Sequence, residues 1–169
     1  MPDLTVLTSS TEATQALGAA LAPLVRPADV VLLTGDLGAG KTQLTKGLAA
    51  GLGVPEPITS PTFNILLVHE GRLPLYHFDL YRLERAEDLE DLDYFGTLEA
   101  DGVAVVEWGD RFSEALPRDG LVLALHIEGD EERRIELHAL GDRGRELVAQ
   151  LAQVAAGLSG VRLPGGGRS

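Results

Sequence analysis

The chain has 169 residues, of which 26 are acidic and 14 are basic, so its formal net charge at pH 7 is −12. This balance argues against unaided binding to DNA, RNA or an anionic membrane, because phosphate contacts need clustered Lys and Arg. The sequence has no cysteine, which excludes disulfides, thiol catalysis and Cys-based zinc sites, and with neither a membrane-length apolar run nor a signal peptide visible we expect a cytoplasmic protein.

The first half of the chain alternates between patterns typical of strands and of helices. Residues 4–8 predict a strand, and Ser9 is placed to cap a helix whose leucines follow at helical spacing until Pro27. Residues 30–34 form a continuous apolar run, which is typical of a strand buried on both faces of a sheet. A glycine-rich turn follows, and then a helix over residues 41–52 is predicted.

The second half is predicted to be richer in strands. The segment 54–62 is rich in proline and is expected to be an irregular loop. Beyond it the sequence predicts a hairpin of strands 63–69 and 73–81, a helix over 84–93, a buried strand over 103–106, a second hairpin of strands 121–127 and 133–140, and a helix over 145–158. Since neither a repeat nor a linker is visible, we expect residues 1–158 to form a single domain and residues 159–169 a disordered C-terminal tail.

The turn before the helix at 41–52 carries the strongest functional signal. It reads Gly-Asp-Leu-Gly-Ala-Gly-Lys-Thr over residues 35–42, which matches the phosphate-loop pattern. Its glycines let the backbone aim successive N–H groups at an anion, and the helix start adds the positive end of its dipole. Lys41 can reach the β- and γ-phosphates, and the Thr42 hydroxyl can bind Mg²⁺. The loop therefore predicts a bound nucleoside triphosphate, in preference to a glycine turn that binds nothing.

Two carboxylates end strand-like runs, where ligands bind in open α/β sheets. Glu107 follows the apolar run 103–106, and we interpret it as the carboxylate on the Mg²⁺ side of the site in preference to a solvated strand end. The pattern supports Asp79 less, because an ion pair with Arg82 would also explain it. The segment 59–63, Thr-Ser-Pro-Thr-Phe, suits either a switch loop that senses the γ-phosphate or a turn whose hydroxyls satisfy the local backbone.

Other features of the sequence narrow the choice of nucleotide and of enzyme class. The chain has no Asn-Lys-x-Asp-type segment for reading guanine, so ATP is favoured over GTP. No arginine-rich lid is visible in the sequence, although a small-molecule kinase would need one to neutralise the transferring phosphoryl group. Trp108 is the sole tryptophan, and most tryptophans belong to a core. The four histidines lack metal-ligand spacing and are expected to be structural or surface residues.

Four motifs in this order resemble the TsaE (YjeE) family, the bacterial ATPases required for making N6-threonylcarbamoyladenosine (t6A) in tRNA. They are the phosphate loop at 35–42, Thr-Ser-Pro-Thr-Phe at 59–63, His-Phe-Asp-Leu-Tyr-Arg at 77–82 and Val-Glu-Trp at 106–108. The similarity runs from about Ser9 to Leu140, and Gln43 stands where the family often has a second threonine. The resemblance implies an α/β, P-loop NTPase-like three-layer fold with a central mixed β-sheet. It also implies weak Mg²⁺-dependent ATP hydrolysis within a complex with TsaB and TsaD, which connects the chain to tRNA only indirectly.

The resemblance assigns roles to individual residues. It implies that Thr42 and Glu107 hold Mg²⁺, that Thr62 is the switch threonine, and that Asp79 supports the metal or the attacking water. Trp108 would shape the site or a partner surface. The residues expected to be catalytic are Lys41, Thr62, Asp79 and Glu107. The residues expected to bind ATP are Asp36, Leu37, Gly38, Ala39, Gly40, Lys41, Thr42 and Gln43, with Thr11 and one of Arg133 or Arg134 near the adenine.

Two other functions compete with that of an ATPase in a tRNA-modifying assembly. A small-molecule phosphotransferase would use the same phosphate loop, although the missing lid speaks against it. A non-catalytic, ATP-gated adaptor would use the 59–63 segment to change shape, with binding as its output.

Overall fold

A mixed sheet of eight strands forms the centre of the computed structural model, which describes residues 1–59, 65–108 and 111–164. The strands are β1 (Leu4–Thr8), β2 (Val30–Thr34), β3 (Leu66–His69), β4 (Leu75–Asp79), β5 (Val103–Glu107), β6 (Gly120–Ile127), β7 (Arg133–Leu140) and β8 (Val161–Arg162). Their order across the sheet is β3-β4-β5-β2-β6-β7-β1-β8. The neighbours β4–β5, β5–β2 and β2–β6 pair in parallel and the other neighbours antiparallel. This arrangement confirms the predicted α/β fold with a central mixed sheet.

Helices cover both faces of the sheet. They are α1 (Thr11–Leu21), α2 (Lys41–Gly51), α3 (Asp88–Asp91), α4 (Tyr94–Leu98) and α5 (Gly141–Ala155). Helices α1, α2 and α5 bury their leucines in one core, and α3 and α4 bury Leu89, Tyr94 and Leu98 in a second core on the opposite face. The chain therefore has three layers. Within the described ranges, no helix combines the length and hydropathy that crossing a membrane requires.

Strand β2 is buried on both faces, as its continuous apolar run predicts. Successive side chains of a strand point to opposite faces, so Val31 and Leu33 enter the core beneath α1, α2 and α5. Val30 and Leu32 enter the opposite core. Because β2 lies between two parallel neighbours, β5 and β6, its carboxyl end is held at the middle of the sheet edge where the phosphate loop begins.

Several helix boundaries differ from those that the sequence predicts. Ser10, rather than Ser9, caps α1, and its hydroxyl accepts a hydrogen bond from the Ala13 N–H at 3.0 Å. Only four residues of the segment predicted to be helical over 84–93 form α3, and α4 was not predicted. Helix α5 begins four residues before the predicted start, because Gly144 lets the helix approach the sheet where a Cβ would lie 2.2 Å from a backbone oxygen of β6.

Within the segment 159–169, which the sequence predicts to be a disordered tail, the structure places two residues in the strand β8. Val161 pairs with Thr8, and Arg162 pairs with Leu7, at the outer edge of β1. The Ser9 N–H also donates to the Gly160 oxygen at 2.9 Å, which fixes the approach of the segment to the sheet. This pairing involves residues far apart in sequence, so the local composition of the segment gave no sign of it. Residues 165–169 lie outside the described part of the chain.

Helices α1 and α2 pack against each other through glycines. A Cβ added to Gly18 would lie 2.1 Å from the Leu44 oxygen, and one added to Gly47 would lie 1.8 Å from the Gln15 oxygen. Both distances are far shorter than a carbon can approach an oxygen, so the close contact between the two helices requires glycine on each. This contact positions the start of α2 and therefore the phosphate loop.

Replacing Gly47 with alanine is expected to lower the free energy of unfolding by about 1–3 kcal/mol, because the added methyl group forces the helices apart. Gly157→Ala is the matched control, since a Cβ there would lie 3.8 Å from the Val154 oxygen. It should change stability by no more than about 0.5 kcal/mol. Urea titration followed by circular dichroism measures both effects. Equal stability of Gly47→Ala and the wild-type chain would contradict the close helix packing.

Candidate functional site

The phosphate loop connects β2 to α2 and depends on three glycines with positive φ. Gly35 has a φ of 138°, Gly38 of 82° and Gly40 of 108°. Residues with a Cβ rarely adopt these values, so glycine is required for this backbone path. At Gly38 a Cβ would meet no atom within 4 Å, so the requirement there comes from the backbone conformation and not from crowding. The resulting turn leads directly into the first N–H groups of α2.

Lys41 lies at the start of α2 with its side chain folded against the loop. Its Nζ donates to the Gly35 oxygen at 2.5 Å and to the Asp36 oxygen at 3.3 Å. The same ammonium lies 4.2 Å from the centre of the Trp108 ring, within the range of a cation–π interaction. The residue is only 6% exposed. Its charge is therefore held at the loop by carbonyl oxygens and by an aromatic face.

Most of the predicted site residues line one cavity of about 340 Å³ in front of the loop. The lining residues are Leu37, Gly38, Ala39, Gly40, Lys41, Thr42, Gln43, Asp79, Tyr81, Arg82, Glu107 and Trp108. Asp36 contributes its carbonyl oxygen to Lys41. Gln43 also accepts a hydrogen bond from the Gln15 side chain at 2.7 Å, which ties the start of α2 to α1. Thr62, the predicted switch threonine, lies outside the described residues.

Asp79 and Glu107 face this cavity because their strands are parallel neighbours. They are register partners at the carboxyl ends of β4 and β5, and the backbone then continues from Glu107 into Trp108, whose N–H donates to the Leu33 oxygen of β2 at 3.0 Å. Parallel strands thus bring two acidic residues, 28 positions apart in sequence, to the same sheet edge as the phosphate loop.

Glu107 is buried and is held by a histidine that the sequence analysis assigned no functional role. Its Oε2 lies 2.5 Å from His77 Nε2, and the two residues are 3% and 0% exposed. With Glu107 ionised, its carboxylate can only accept hydrogen bonds, and His77 Nε2 is then the donor. His77 Nδ1 is buried with no hydrogen-bond partner among the described residues. Strand alternation could have indicated that His77 lies near the site, since His77 and Asp79 are two positions apart and therefore on one face of β4.

Asp79 is held in a partly buried position near other charges. Its Oδ1 accepts a hydrogen bond from the Tyr81 N–H at 3.0 Å, which forms a tight turn at the end of β4. Burial raises the pKa of Asp79 above its usual value, and the nearby carboxylate of Glu107 raises the pKa further. The Tyr81 N–H, His77 and Lys41 act in the opposite direction without cancelling the effect of burial.

Trp108 forms one wall of the cavity and has a strained backbone. Its φ of 61° lies in the left-handed region, which bulky residues rarely adopt. The ring packs against Tyr81, with the ring centres 4.9 Å apart, and covers the Lys41 ammonium. Such strain persists only where surrounding contacts impose it, and it concentrates at functional sites. The structure thus places Trp108 at the site, where it is partly buried and also packs against the second core.

Thr11 and Arg133 meet at a smaller cavity beside the loop. This cavity of about 160 Å³ is also lined by Thr14, Gly38, Gly40, Gln43 and Glu131. The Thr11 N–H donates to Glu131 Oε1 at 3.0 Å. Arg134 points elsewhere and pairs with Glu128 and Glu136, each at 2.7 Å. The structure therefore brings Thr11 and Arg133 together, and it separates Arg134 from them.

The donors at the cavity suit Mg²⁺ bound together with phosphate. Among the described residues, no group of three or more His, Asp or Glu side chains is placed to hold a metal ion alone. Thr42 and Glu107 do line the same cavity, and they offer a hydroxyl and a carboxylate oxygen. Mg²⁺ is commonly bound by one or two protein oxygens with the rest of its ligands from phosphate and water. The residues present fit that mode of binding.

Comparisons with known proteins all point to one family. The family model described as "Threonylcarbamoyl adenosine biosynthesis protein TsaE" matches residues 8–135. The chain is 42% identical over 155 residues to the tRNA threonylcarbamoyladenosine biosynthesis protein TsaE of Bacillus subtilis, with 90% of this chain and 96% of that protein covered. Its identity to the protein of the same name from Streptomyces coelicolor is 47% over 135 residues, with coverage of 75% and 90%.

A solved structure also resembles the chain closely. The crystal structure of Bacillus subtilis YdiB matches with a TM-score of 0.74 and 38% sequence identity, and the match covers 91% of this chain and 97% of that chain. Together with the three layers and the mixed sheet, this similarity confirms the predicted P-loop NTPase-like fold.

Asp79→Asn is expected to stabilise the fold at neutral pH. Because the folded-state pKa of Asp79 lies above that of the unfolded chain, Asp79 favours folding while it is protonated and loses that contribution as pH rises through its folded-state pKa. Asparagine avoids the cost of burying a carboxylate and can still accept from the Tyr81 N–H. The gain in the free energy of unfolding should be present at pH 7 and should shrink as pH falls toward about 4.

Urea titrations from pH 4 to pH 8 measure this difference. Asp91→Asn, at an exposed position in α3, serves as the control and should show no such trend. A constant difference between Asp79→Asn and the wild-type chain over the whole range would show that the carboxylate is not destabilised by burial.

Proposed function

The chain belongs to the TsaE family of threonylcarbamoyl adenosine biosynthesis proteins, and from this membership we propose that it is an Mg²⁺-dependent ATPase required for t6A modification of tRNA. One observation carries the proposal. A phosphate loop with its lysine and threonine lines the same cavity as two carboxylates from the parallel strands β4 and β5. That combination is the arrangement that phosphate-loop enzymes use to hydrolyse a nucleoside triphosphate.

The loop and Lys41 bind the phosphate tail of ATP. In the structure the Lys41 ammonium donates to neutral carbonyl oxygens of Gly35 and Asp36. Charged phosphate oxygens are stronger acceptors, so Lys41 turns from these carbonyls to the β- and γ-phosphates when ATP enters. The backbone N–H groups of the loop and of the first turn of α2 supply the remaining donors. The absence of a guanine-reading segment in the sequence favours ATP over GTP.

Thr42 and Glu107 are the residues that would hold Mg²⁺. The hydrogen bond between His77 and Glu107 limits the rotation of the carboxylate at the edge of the cavity that it lines. Mg²⁺, when bound, neutralises charge on the β- and γ-phosphates. Burial of Glu107 keeps competing water away from the carboxylate, which strengthens its interaction with a cation.

Asp79 orients the attacking water. The pKa of Asp79 is raised, so its carboxylate accepts a proton more readily than that of an exposed aspartate. This property suits a group that accepts a hydrogen bond from the attacking water. The water oxygen bonds to the γ-phosphorus as the bond to the β–γ bridging oxygen breaks. ADP leaves with the bonding electrons, and the proton of the water passes by way of Asp79 to the released phosphate.

The proposed partners are TsaB and TsaD, and the proposed contact with tRNA is indirect. A net charge of −12 is unsuited to gripping a polyanion. The proteins that carry the modification therefore bind the tRNA, and this chain supplies ATP hydrolysis within the assembly.

Lys41→Ala and Thr42→Ala are expected to lower ATP turnover by at least about 100-fold, because each removes a group that contacts the transferring phosphoryl group or its metal. Glu107→Ala should lower it strongly as well. Lys46→Ala is the matched control, since Lys46 is the other lysine of α2 and is exposed to solvent. Phosphate release with TsaB and TsaD present is the measurement. Wild-type turnover in the Lys41 and Thr42 variants would contradict the proposal.

A second experiment adds TsaB, TsaD and tRNA stepwise. ATP hydrolysis is expected to rise when both proteins are present, and t6A measured by mass spectrometry should require a hydrolysable nucleotide. Full t6A formation with a non-hydrolysable analogue would instead favour the ATP-gated adaptor. A phosphorylated metabolite formed without the two proteins would favour the small-molecule phosphotransferase.

A further inference from the structure

Arg133, the first residue of β7, contacts the phosphate loop at the smaller cavity that it shares with Thr11. Its Nε donates to the Ala39 oxygen and its Nη2 to the Gly38 oxygen, each at 3.0 Å. Within the described part of the chain, Arg133 does not line the 340 Å³ cavity that Lys41 and Glu107 share. One guanidinium thus binds two successive carbonyl groups of the loop without lining that cavity.

These two hydrogen bonds fix the direction of the amides that follow. In a trans peptide the C=O and the N–H of one unit point in opposite directions. Holding the Ala39 oxygen against Arg133 therefore turns the Gly40 N–H away from it, and holding the Gly38 oxygen does the same for the Ala39 N–H. The Ala39 N–H also donates to the Asp36 oxygen at 3.0 Å. Glycine peptide units have few steric limits of their own, so the Arg133 hydrogen bonds add a second restraint to the Gly38–Ala39 unit and restrain the Ala39–Gly40 unit that follows it.

The other side of the guanidinium is anchored in the turn between β6 and β7. Arg133 Nη1 donates to the oxygens of Gly129 at 3.0 Å, Glu132 at 2.9 Å and Asp130 at 3.3 Å. The turn is closed by the Glu128 N–H, which donates to the Glu132 oxygen at 2.9 Å. The restraint on the phosphate loop is therefore transmitted to the sheet.

Arg133 and Lys41 divide the loop carbonyls between them. Lys41 binds those of Gly35 and Asp36, and it has to leave them in order to reach phosphate. Arg133 binds the carbonyls nearer α2 and has no such second task. It is therefore the cation that can hold the loop throughout the binding of an anion.

We propose that Arg133 is a positioning residue that holds the phosphate loop in its anion-binding shape before the nucleotide arrives. The ligand chemistry that it serves is the polyphosphate tail, not the base. This inference rests on the proposed ATP binding. Its physical basis is preorganisation, because a loop that is already ordered loses less entropy when it binds its ligand.

The test compares Arg133→Lys and Arg133→Met with the wild-type chain. Lysine keeps the positive charge but lacks the planar fork that reaches two carbonyls at once, and methionine removes the charge as well. Arg143→Lys is the matched control. Arg143 is also a partly buried arginine, but it binds Asp29 at 2.8 Å near the opposite end of β2.

Dissociation constants are measured by calorimetry for two probes, MgATP and magnesium tripolyphosphate. Trp108 fluorescence is a second measure of binding, because the Trp108 ring lies against the Lys41 ammonium. Both Arg133 variants should bind each probe about tenfold to a hundredfold more weakly. The loss should be the same for the two probes, because tripolyphosphate lacks the base. Arg143→Lys should bind both probes as the wild-type chain does, even if its melting temperature falls.

Three outcomes would overturn the inference while leaving the proposed function intact. Wild-type affinity in Arg133→Lys would show that charge alone suffices, and a loss confined to MgATP would show that Arg133 contacts the base. The third outcome is measured on the wild-type chain and so does not depend on the folding of a variant. The Arg133 Nε–H is expected to exchange slowly with solvent both with and without MgATP. Rapid exchange in the free protein would show that the restraint is absent. If the wild-type chain bound neither probe, the proposed function itself would fail.

Discussion

Main-chain amides can surround an anion only when neighbouring peptide units all turn their N–H groups to the same side. Gly35, Gly38 and Gly40 make this possible because each has a positive φ that other residues rarely adopt. The same rotation sends the carbonyl oxygens to the opposite side, where they need donors of their own. Arg133 supplies donors to two of these oxygens, those of Gly38 and Ala39. Much of the surrounding structure follows from this need to support both sides of one short loop.

The sheet satisfies the second requirement, which is to bring acidic groups to the loop. Because β4, β5 and β2 are parallel neighbours, their carboxyl ends meet at one edge, and a carboxylate at the end of β4 and one at the end of β5 arrive there together. Neither would be useful if it were free to rotate in water. Glu107 is held by His77 within the core, and Asp79 is held by the turn that follows its strand.

The features that the sequence predicted correctly are those whose causes are local. The phosphate loop, the buried strand before it and the helix after it can be recognised from consecutive residues, and the four ordered motifs were enough to identify the family. The role of Arg133 could not be predicted in this way, since its partner Ala39 lies 94 positions away. The contact made by His77 could not be predicted from the spacing of the histidines either, since its partner Glu107 lies 30 positions away. The start of α5 was missed because Gly141 and Gly144 are poor helix formers, and only packing against the sheet compensates for them.

The small strand β8 has an effect out of proportion to its two residues. An unprotected outer strand offers a row of unpaired peptide groups onto which the strand of a second molecule can add, and this is a common route to fibrillar association. Val161 and Arg162 pair with Thr8 and Leu7, so the chain's own backbone covers the end of that row. A shortened chain that ends after α5 would lack this cover. It would therefore be prone to self-association through β1, and it would also lose Leu158, Val161 and Leu163 from the edge of the first core.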